Sequence, residues 1–505
     1  MILILPKHTM HTFDDLFIFE MANNHQGDVN HGIAIIQKMA EIAKKHKIKA
    51  GVKFQYRDLN TFIHPGYRED TTHKHISRFL STELSADQFL TLVETCIKSE
   101  LIPICTPFDE KSVDLIVQHK IDIIKVASCS ADDWPLLEKI ASTGKPVIAS
   151  TGGLSLSMID NLVTFFRNKG VNFAILHCVG IYPTPDEALN ISFISKLRNR
   201  YKEITIGYSG HEQPDNYNVI QLASALGAKI FERHVGLPTD LIKLNGYSMN
   251  PDQVDMWVTS WTQSKTILGN NYKTILDIES DSLASLKRGV YVKRAIKKGQ
   301  LINRGDVYFA MPRVDGQLTS GEYGRLRTVY TATKDYKIDE PILESPNIDT
   351  YLDVRDIIHQ AKGMLDEANI VLNSNAQIEL SHHYGLAKFY KFGCLIVNLV
   401  NREYCKKIIV VYPGQSHPEQ KHIKKEETFH VLSGQLQLSL NGISRLMKVG
   451  DIVTIERGVL HAFSSTSGCV IEEVSTTHFR NDSFYTDETI AQQDPMQRKT
   501  IIESW

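Results

Sequence analysis

Two short apolar runs each finish on a histidine: Ile206-Gly-Tyr-Ser-Gly-His211 and Ala228-Lys-Ile-Phe-Glu-Arg-His234. Neutral imidazoles side by side suit a borderline divalent cation such as Mn2+ or Zn2+. Between the runs, Val219, Ile220, Leu222, Ala223 and Leu226 recur at helical spacing and Gly227 closes the segment. The unit is therefore strand, helix, strand, and a right-handed crossover makes the strands parallel neighbours with both histidines at one rim. Two buried, hydrogen-bonded structural histidines would leave the same trace. What separates the readings is whether other strands bring reactive groups to that rim.

Six further strands do so. Leu16-Phe-Ile-Phe-Glu20 ends on Glu20 and runs into Asn23 and Asn24. Ala50-Gly-Val-Lys-Phe-Gln55 carries Lys53 and Gln55 on one side by the two-residue period of a strand. The runs 101–106, 122–128, 145–151 and 172–178 supply Thr106, Lys125 with Ser128, and Ser150 with Thr151, and the last leads into Tyr182. Ser209 precedes His211. Burying an ammonium alone costs several kcal/mol, so a lysine inside an apolar strand needs an anion or an escape to solvent. A structural carboxylate explains one such lysine; two of them among hydroxyls and histidines describe a site for a small anion, phosphate and carboxylate together. Helix-length amphipathic segments separate the strands, and eight such units over about 250 residues predict an α/β fold, a closed (β/α)8 barrel with its site at the strands' carboxyl ends.

The chain has 505 residues, room for roughly three domains. Its 56 lysines and arginines nearly balance 58 aspartates and glutamates, so no net field recruits nucleic acid or membrane. Seven cysteines without paired metal spacing fit reduced thiols in a cytoplasm. Residues 1–10 are too short for a signal peptide, and no apolar run approaches the roughly 20 residues of a membrane span.

In order and spacing, Phe19-Glu-Met-Ala-Asn-Asn-His25, Val52-Lys-Phe-Gln55, Cys105-Thr-Pro-Phe-Asp109, Lys125-Val-Ala-Ser128, Ser150-Thr-Gly152, Tyr182-Pro-Thr-Pro185, Ser209-Gly-His211 and Glu232-Arg-His234 resemble the N-acetylneuraminate synthase family. The resemblance covers most of residues 14–250. It implies condensation of phosphoenolpyruvate with an open-chain hexosamine such as N-acetylmannosamine, releasing phosphate and needing a divalent metal, usually Mn2+. It also implies that His211 and His234 bind the metal, and that Lys53, Thr106, Lys125, Ser128, Ser150, Tyr182 and Ser209 hold phosphoenolpyruvate. Glu20 and Gln55 then face the sugar or the attacking water, with the two lysines counted as catalytic. The pattern departs from the family at Cys129-Ser130, Gly180 and Leu244, where a sugar-binding aspartate is usual and for which Asn245 or Asp240 is the substitute; Asn23, Asn245 and Arg313 are left as the sugar contacts. Rival readings are a pyruvate aldolase with a Schiff-base lysine, and an inactive protein that binds acidic sugars.

Residues 1–280 are thus read as the synthase barrel. After a helix over 257–271 and a linker over 272–281, Ser285 to Asn303 reads as strand, Lys-Lys-Gly turn, strand. With Pro312 and the stretch to Ile342 it resembles the antifreeze-like SAF β-clip domain of the same family, assigned to 281–348, which implies a domain-swapped homodimer. From 349 to 505 a helix leads into alternating strands. Gly414, Gln420-Lys-His422, Glu427 and Gly434, then Gly450 and Gly458-Val-Leu-His461, are the two cupin motifs with Gln420 in place of the leading histidine. His422, Glu427 and His461, with Gln420 as a weak fourth ligand, make a site for Zn2+, Mn2+ or Fe2+ in a small β-barrel. Pro413-Gly-Gln415, Glu427-Thr-Phe-His430 and Glu472-Glu-Val-Ser475 resemble lyxose-isomerase-like cupins, which implies a sugar isomerase or epimerase, or a retired metal site kept for sensing or dimerising.

Overall fold

The computed structural model describes residues 13–68, 72–271, 273–323, 330–343, 350–373, 376–479 and 481–503. The chain start at 1–10 and the expected boundary at 348/349 lie outside them. Two compact units meet between residues 272 and 273.

In the first unit, β1 (Leu16–Glu20), β2 (Lys49–Tyr56), β3 (Ile102–Pro107), β4 (Ile123–Val126), β5 (Val147–Ser150), β6 (Phe173–Cys178), β7 (Thr205–Gly210) and β8 (Ile230–His234) close a parallel barrel in chain order. Each strand divides its side chains by parity. Phe17, Phe19, Val52, Phe54, Ile124, Val126 and Phe231 pack outward with helix residues such as Ile35, Met39 and Trp257. Leu16, Ile18, Ile104, Ile123, Ile148, Ala174, Leu176 and Ile230 form a separate cluster together with Phe13 ahead of β1, the filling of the barrel's lower half. Gly207 belongs to this layer by necessity: a Cβ there would lie 2.5 Å from Leu176 and 2.6 Å from Ile230. One step further along the same inward parity the residues turn polar: Glu20, Lys53, Gln55, Thr106, Lys125, Ser150, Ser209, Glu232 and His234. An apolar plug below and a polar layer above is the arrangement of a barrel whose site sits at the carboxyl ends.

In the second unit, β9 (Gly289–Val292), β10 (Leu301–Ile302), β11 (Val307–Ala310) and β12 (Tyr330–Thr331) surround their own core of Val290, Val292, Ile302, Tyr330 and Ile342. The strand, Lys-Lys-Gly turn and strand expected over 285–303 are present as β9, the turn and β10. β9 pairs with β11 and β10 with β12, so the turn joins strands that are not partners. The expected linker over 272–281 is corrected, because a helix, Asp277–Leu286, begins inside it. Strand four ends at Val126, which places Ser128 in the 3-10 turn Ser128–Ser130.

The remaining strands are β13 (Gln377–Ser381), β14 (Cys394–Asn401), β15 (Tyr404–Val411), β16 (Gln415–Lys421), β17 (Glu427–Leu440), β18 (Ile443–Lys448), β19 (Ile452–Ile455), β20 (His461–Ser465), β21 (Cys469–Thr476), β22 (Phe484–Tyr485) and β23 (Lys499–Ile502). They form one antiparallel sheet on which the helix Thr350–Glu367 packs through Ile357, Ala361 and Leu365. Parity again sorts the side chains: Ile408 and Val410 meet the helix side, whereas Ile409, Val411, Phe429, Val431, Phe463 and Ile471 fill the concave side. Among the described residues no helix is long and apolar enough to cross a membrane.

Candidate functional site

Lys53, Lys125, Ser209 and Glu232 converge at the top of the first barrel. Lys53 pairs with Glu20 and, at 2.9 Å, with Glu232 Oε1. Ser209 Oγ donates to the same oxygen at 2.8 Å, and Lys125 Nζ lies 3.9 Å from it. Lys125 Nζ also donates to Ser150 Oγ at 2.6 Å. Glu232 is thus the hub of the cluster, and Glu232 Oε2 is buried without a partner. Burial alone would raise its pKa; the ammoniums of Lys125 and Lys53 and the hydrogen bonds from Lys53 and Ser209 outweigh burial and hold it down to about 2. Burial is the largest influence on Lys53 and, despite Glu232, lowers its pKa to about 8.

Glu232 was not singled out from the sequence, although the signal was present. It stands two residues before His234 on a strand, so both share a face, and a buried lysine pair demands a carboxylate. The other expected anion contacts sit around the cluster. Ser128 Oγ accepts from Gly152 N at 3.0 Å, and Thr106 Oγ1 is buried without a partner. Gln55 reaches Glu20 at 3.4 Å, while its carbonyl accepts from Arg57 at 2.9 Å.

His211 and His234 lie beside this layer with ring centroids 5.4 Å apart. His211 Nδ1–H donates to Val179 O at 3.0 Å, which leaves Nε2 with the free lone pair. Burial lowers His211 to about 4 and pushes His234 well below the usual histidine range, so both rings are neutral. Tyr182 packs 4.2 Å from the His211 ring and Tyr247 5.1 Å from that of His234. A divalent cation fits this donor set. Asn245 spends its side-chain oxygen on the amides of Tyr247 and Ser248, shaping the loop that carries Tyr247. Asn23 offers its backbone carbonyl to Arg78, and Arg313 Nε donates to Gln317 O at 3.1 Å.

In the second unit, ligand atoms of His422, Glu427 and His461 all lie within 4.8 Å of one another, and all three residues are buried. Nδ1–H of His422 donates to Asp482 O at 2.6 Å and Nδ1–H of His461 to Val459 O at 3.1 Å, so each ring turns a lone pair outward from Nε2. His461 Nε2 then stands 2.9 Å from Glu427 Oε1, two lone-pair atoms in contact, and both are buried and unbonded, as is Gln420 Oε1. A cation between them satisfies all of these atoms, so the set fits a metal, with Gln420 next to His461 in register. The other Glu427 oxygen is held by Lys425, which also reaches Glu473 at 2.9 Å. Lys425 and Glu473 were missed in the sequence; Glu473 is told from Glu472 only by inward parity on β21, since Glu472 pairs with Lys406 at 2.7 Å.

Dialysis into Mn2+ followed by elemental analysis should therefore give two metal ions per chain, falling to one in His234→Ala and to one in His461→Ala. Amide oxygen is a poorer ligand than imidazole for such metals, so graded EDTA should strip the His422, Glu427, His461 site first. Gln420→His should reverse that order.

Residues 39–273 match the NeuB family and residues 407–472 match the cupin domain family. The fold resembles that of a Chromobacterium violaceum protein named for spore coat polysaccharide biosynthesis, with 45% identity and a TM-score of 0.63 over 65% of this chain and 98% of that one. N,N'-diacetyllegionaminic acid synthase of Campylobacter jejuni is 28% identical over 343 residues, 65% of this chain and 99% of its own length. Human N-acetylneuraminate-9-phosphate synthase is 29% identical over 290 residues, 56% of this chain and 80% of its own.

Proposed function

The chain belongs to the NeuB family, and on that premise we propose that its barrel joins phosphoenolpyruvate to an open-chain hexosamine such as N-acetylmannosamine, giving a nine-carbon 2-keto acid and phosphate. One observation carries the reading: Lys53, Lys125, Ser150, Ser209 and Glu232 meet in one buried layer beside two neutral imidazoles. The methylene carbon of phosphoenolpyruvate bonds to the aldehyde carbon, water adds to the enol carbon, and the C–O bond to phosphate breaks. Of the water's two protons, one ends on the new sugar hydroxyl and one on the departing phosphate. Lys53 and Lys125 bind and orient the carboxylate and phosphate while charge redistributes. Thr106, Ser128, Ser150, Tyr182 and Ser209 complete that grip. Glu20 and Gln55 orient the water. His211 and His234 would hold a divalent cation, Mn2+ in our reading, which supplies Lewis acidity toward the aldehyde.

Incubation with phosphoenolpyruvate, Mn2+ and a panel of hexoses, with phosphate release and product mass measured, tests the proposal; release of no phosphate with any acceptor would end it. The lowered pKa of Lys53 favours a second reading, a Schiff-base aldolase using pyruvate, because a neutral amine is the nucleophile. Borohydride trapping of pyruvate on Lys53 without phosphate release identifies it.

For the synthase, kcat/KM for phosphoenolpyruvate should fall as pH rises through about 8, where Lys53 sheds its proton. Lys53→Arg keeps its charge and should carry the fall to higher pH. Lys53→Ala and Lys125→Ala should each weaken phosphoenolpyruvate use by roughly tenfold to a hundredfold, a charge-assisted hydrogen bond being worth about 1.5–3 kcal/mol.

We assign 1–280 to the synthase barrel, 281–348 to an SAF module acting as a lid in a domain-swapped dimer, with Arg313 facing the sugar, and 349–505 to the cupin. The cupin is read as a metal-dependent sugar isomerase or epimerase, and the protein as cytoplasmic.

A further inference from the structure

The pocket lined by His422 and Glu427 also carries four basic side chains, Lys407, Lys425, Arg498 and Lys499, and two further carboxylates, Glu379 and Glu473. The lysines are spoken for. Lys425 holds Glu427 and Glu473, Lys407 lies 3.4 Å from Glu473, and Lys499 lies 3.0 Å from Glu379. Arg498 is different. It is only 9% exposed, it has no carboxylate partner among the described residues, and its Nη1 is buried without a hydrogen bond. The guanidinium rests 4.9 Å from the ring of Tyr485, whose hydroxyl is tied to His383 at 2.9 Å, so its plane is propped from beneath. Burial first, and then the charge of Arg498, pushes His383 down to about 3, so that ring neither neutralises nor repels a ligand.

A guanidinium cannot shed its proton, and burying one without a counter-ion costs several kcal/mol. Neutral sugar hydroxyls do not repay that cost, whereas a carboxylate or phosphate matches the fork of donors in two parallel hydrogen bonds. We propose that the cupin pocket takes an anionic sugar, whose acid group sits on Arg498 while its hydroxyl or carbonyl end faces His422, Glu427 and His461. This names the substrate class for the isomerase reading given above and rests on that reading only in taking the ligand to be a sugar. Two sources share the chemistry: a 2-keto acid of the kind the barrel is proposed to make, held by its carboxylate, and a hexosamine phosphate.

The test uses the full-length protein with Mn2+ and reads hydrogen exchange in peptides covering 415–427 and 461–485, which line this pocket and not the first barrel. N-acetylneuraminic acid, N-acetylmannosamine 6-phosphate and N-acetylmannosamine are the probes. One acid probe should protect these peptides at concentrations roughly tenfold or more below the neutral sugar, and which of the two does so identifies the source. Arg498→Ala should raise the half-protecting concentration of that probe by about tenfold to a hundredfold and leave the neutral sugar unchanged, while Arg498→Lys retains part of the effect. Protection by the neutral sugar equal to that by the acids, protection by none of the three, or an unchanged response in Arg498→Ala overturns the proposal. Arg498→Gln replaces the alanine variant if that does not fold, and the ranking of probes on the unaltered protein decides in either case. Interconversion followed by NMR separates the two readings. An acid sugar that binds through Arg498 without being interconverted ends the isomerase reading alone; a neutral sugar interconverted equally by Arg498→Ala ends the present one alone.

Discussion

His211→Ala and His234→Ala should each lower the rate of phosphate release on the order of a thousandfold at saturating phosphoenolpyruvate and Mn2+. Lewis-acid activation of a carbonyl is worth several kcal/mol, and each 1.4 kcal/mol is a factor of ten. Phosphoenolpyruvate should still bind, with an affinity by calorimetry within about twofold of the unaltered protein. The reason is geometric. The proposed anion contacts, Lys53, Lys125, Ser150 and Ser209, hydrogen-bond one another or Glu232 and do not use either imidazole. His211 is anchored by Val179 O and flanked by Tyr182, so truncating it removes the proposed metal ligand at the rim and leaves the buried layer beneath intact. EDTA should reproduce the loss in the unaltered protein and Mn2+ should restore it. Near-normal turnover in both variants would remove the metal from these histidines.

Much of the barrel site could be read from the chain because parity and strand ends are local properties. Glu20 closes β1 and His234 closes β8, and the two are register partners, so one apolar run and its terminal residue sufficed to place each. Lys53 and Gln55 followed from the two-residue period of β2. Glu232 escaped because its meaning is not local: it becomes the hub only when β2, β4 and β7 bring two lysines and a serine to one oxygen. The cluster of His422, Glu427 and His461 was legible for the same reason as the barrel ends, since motif spacing encodes it. Lys425, Glu473 and Arg498 come together through long-range pairing, and a bulge between His417 and Gln420 shifts the local parity. Strands β10 and β12 are two residues long with partners about thirty residues apart, which leaves almost no periodicity to read.

Glu232→Gln should destabilise the first unit by about 3–5 kcal/mol, the usual cost of removing one partner from a buried ion cluster. The amide preserves volume and an acceptor for Lys53 and Ser209, so what is lost is charge, and Lys53 is left with Glu20 while Lys125 loses its carboxylate. At roughly 2–4 °C per kcal/mol for a unit of this size, the melting temperature of that unit should fall by about 10 °C near neutral pH. The sign with pH follows from a carboxylate whose folded pKa, about 2, lies below its unfolded value of about 4.5. Its stabilisation, on the order of 3 kcal/mol, is complete above pH 4.5 and is lost as pH falls toward 2, so the gap between the unaltered protein and the variant should narrow on acidification across that range. As pH rises toward 8 the gap should narrow again, because Glu232 holds the Lys53 pKa up to about 8 and without it Lys53 gives up its proton at lower pH. Phosphoenolpyruvate supplies the missing negative charge. Its addition should therefore raise the melting temperature of Glu232→Gln by more than it raises that of the unaltered protein. A smaller ligand-induced shift in the variant would mean that Glu232 itself helps to hold the substrate, and an unchanged melting temperature would mean that the two lysines are neutral when buried.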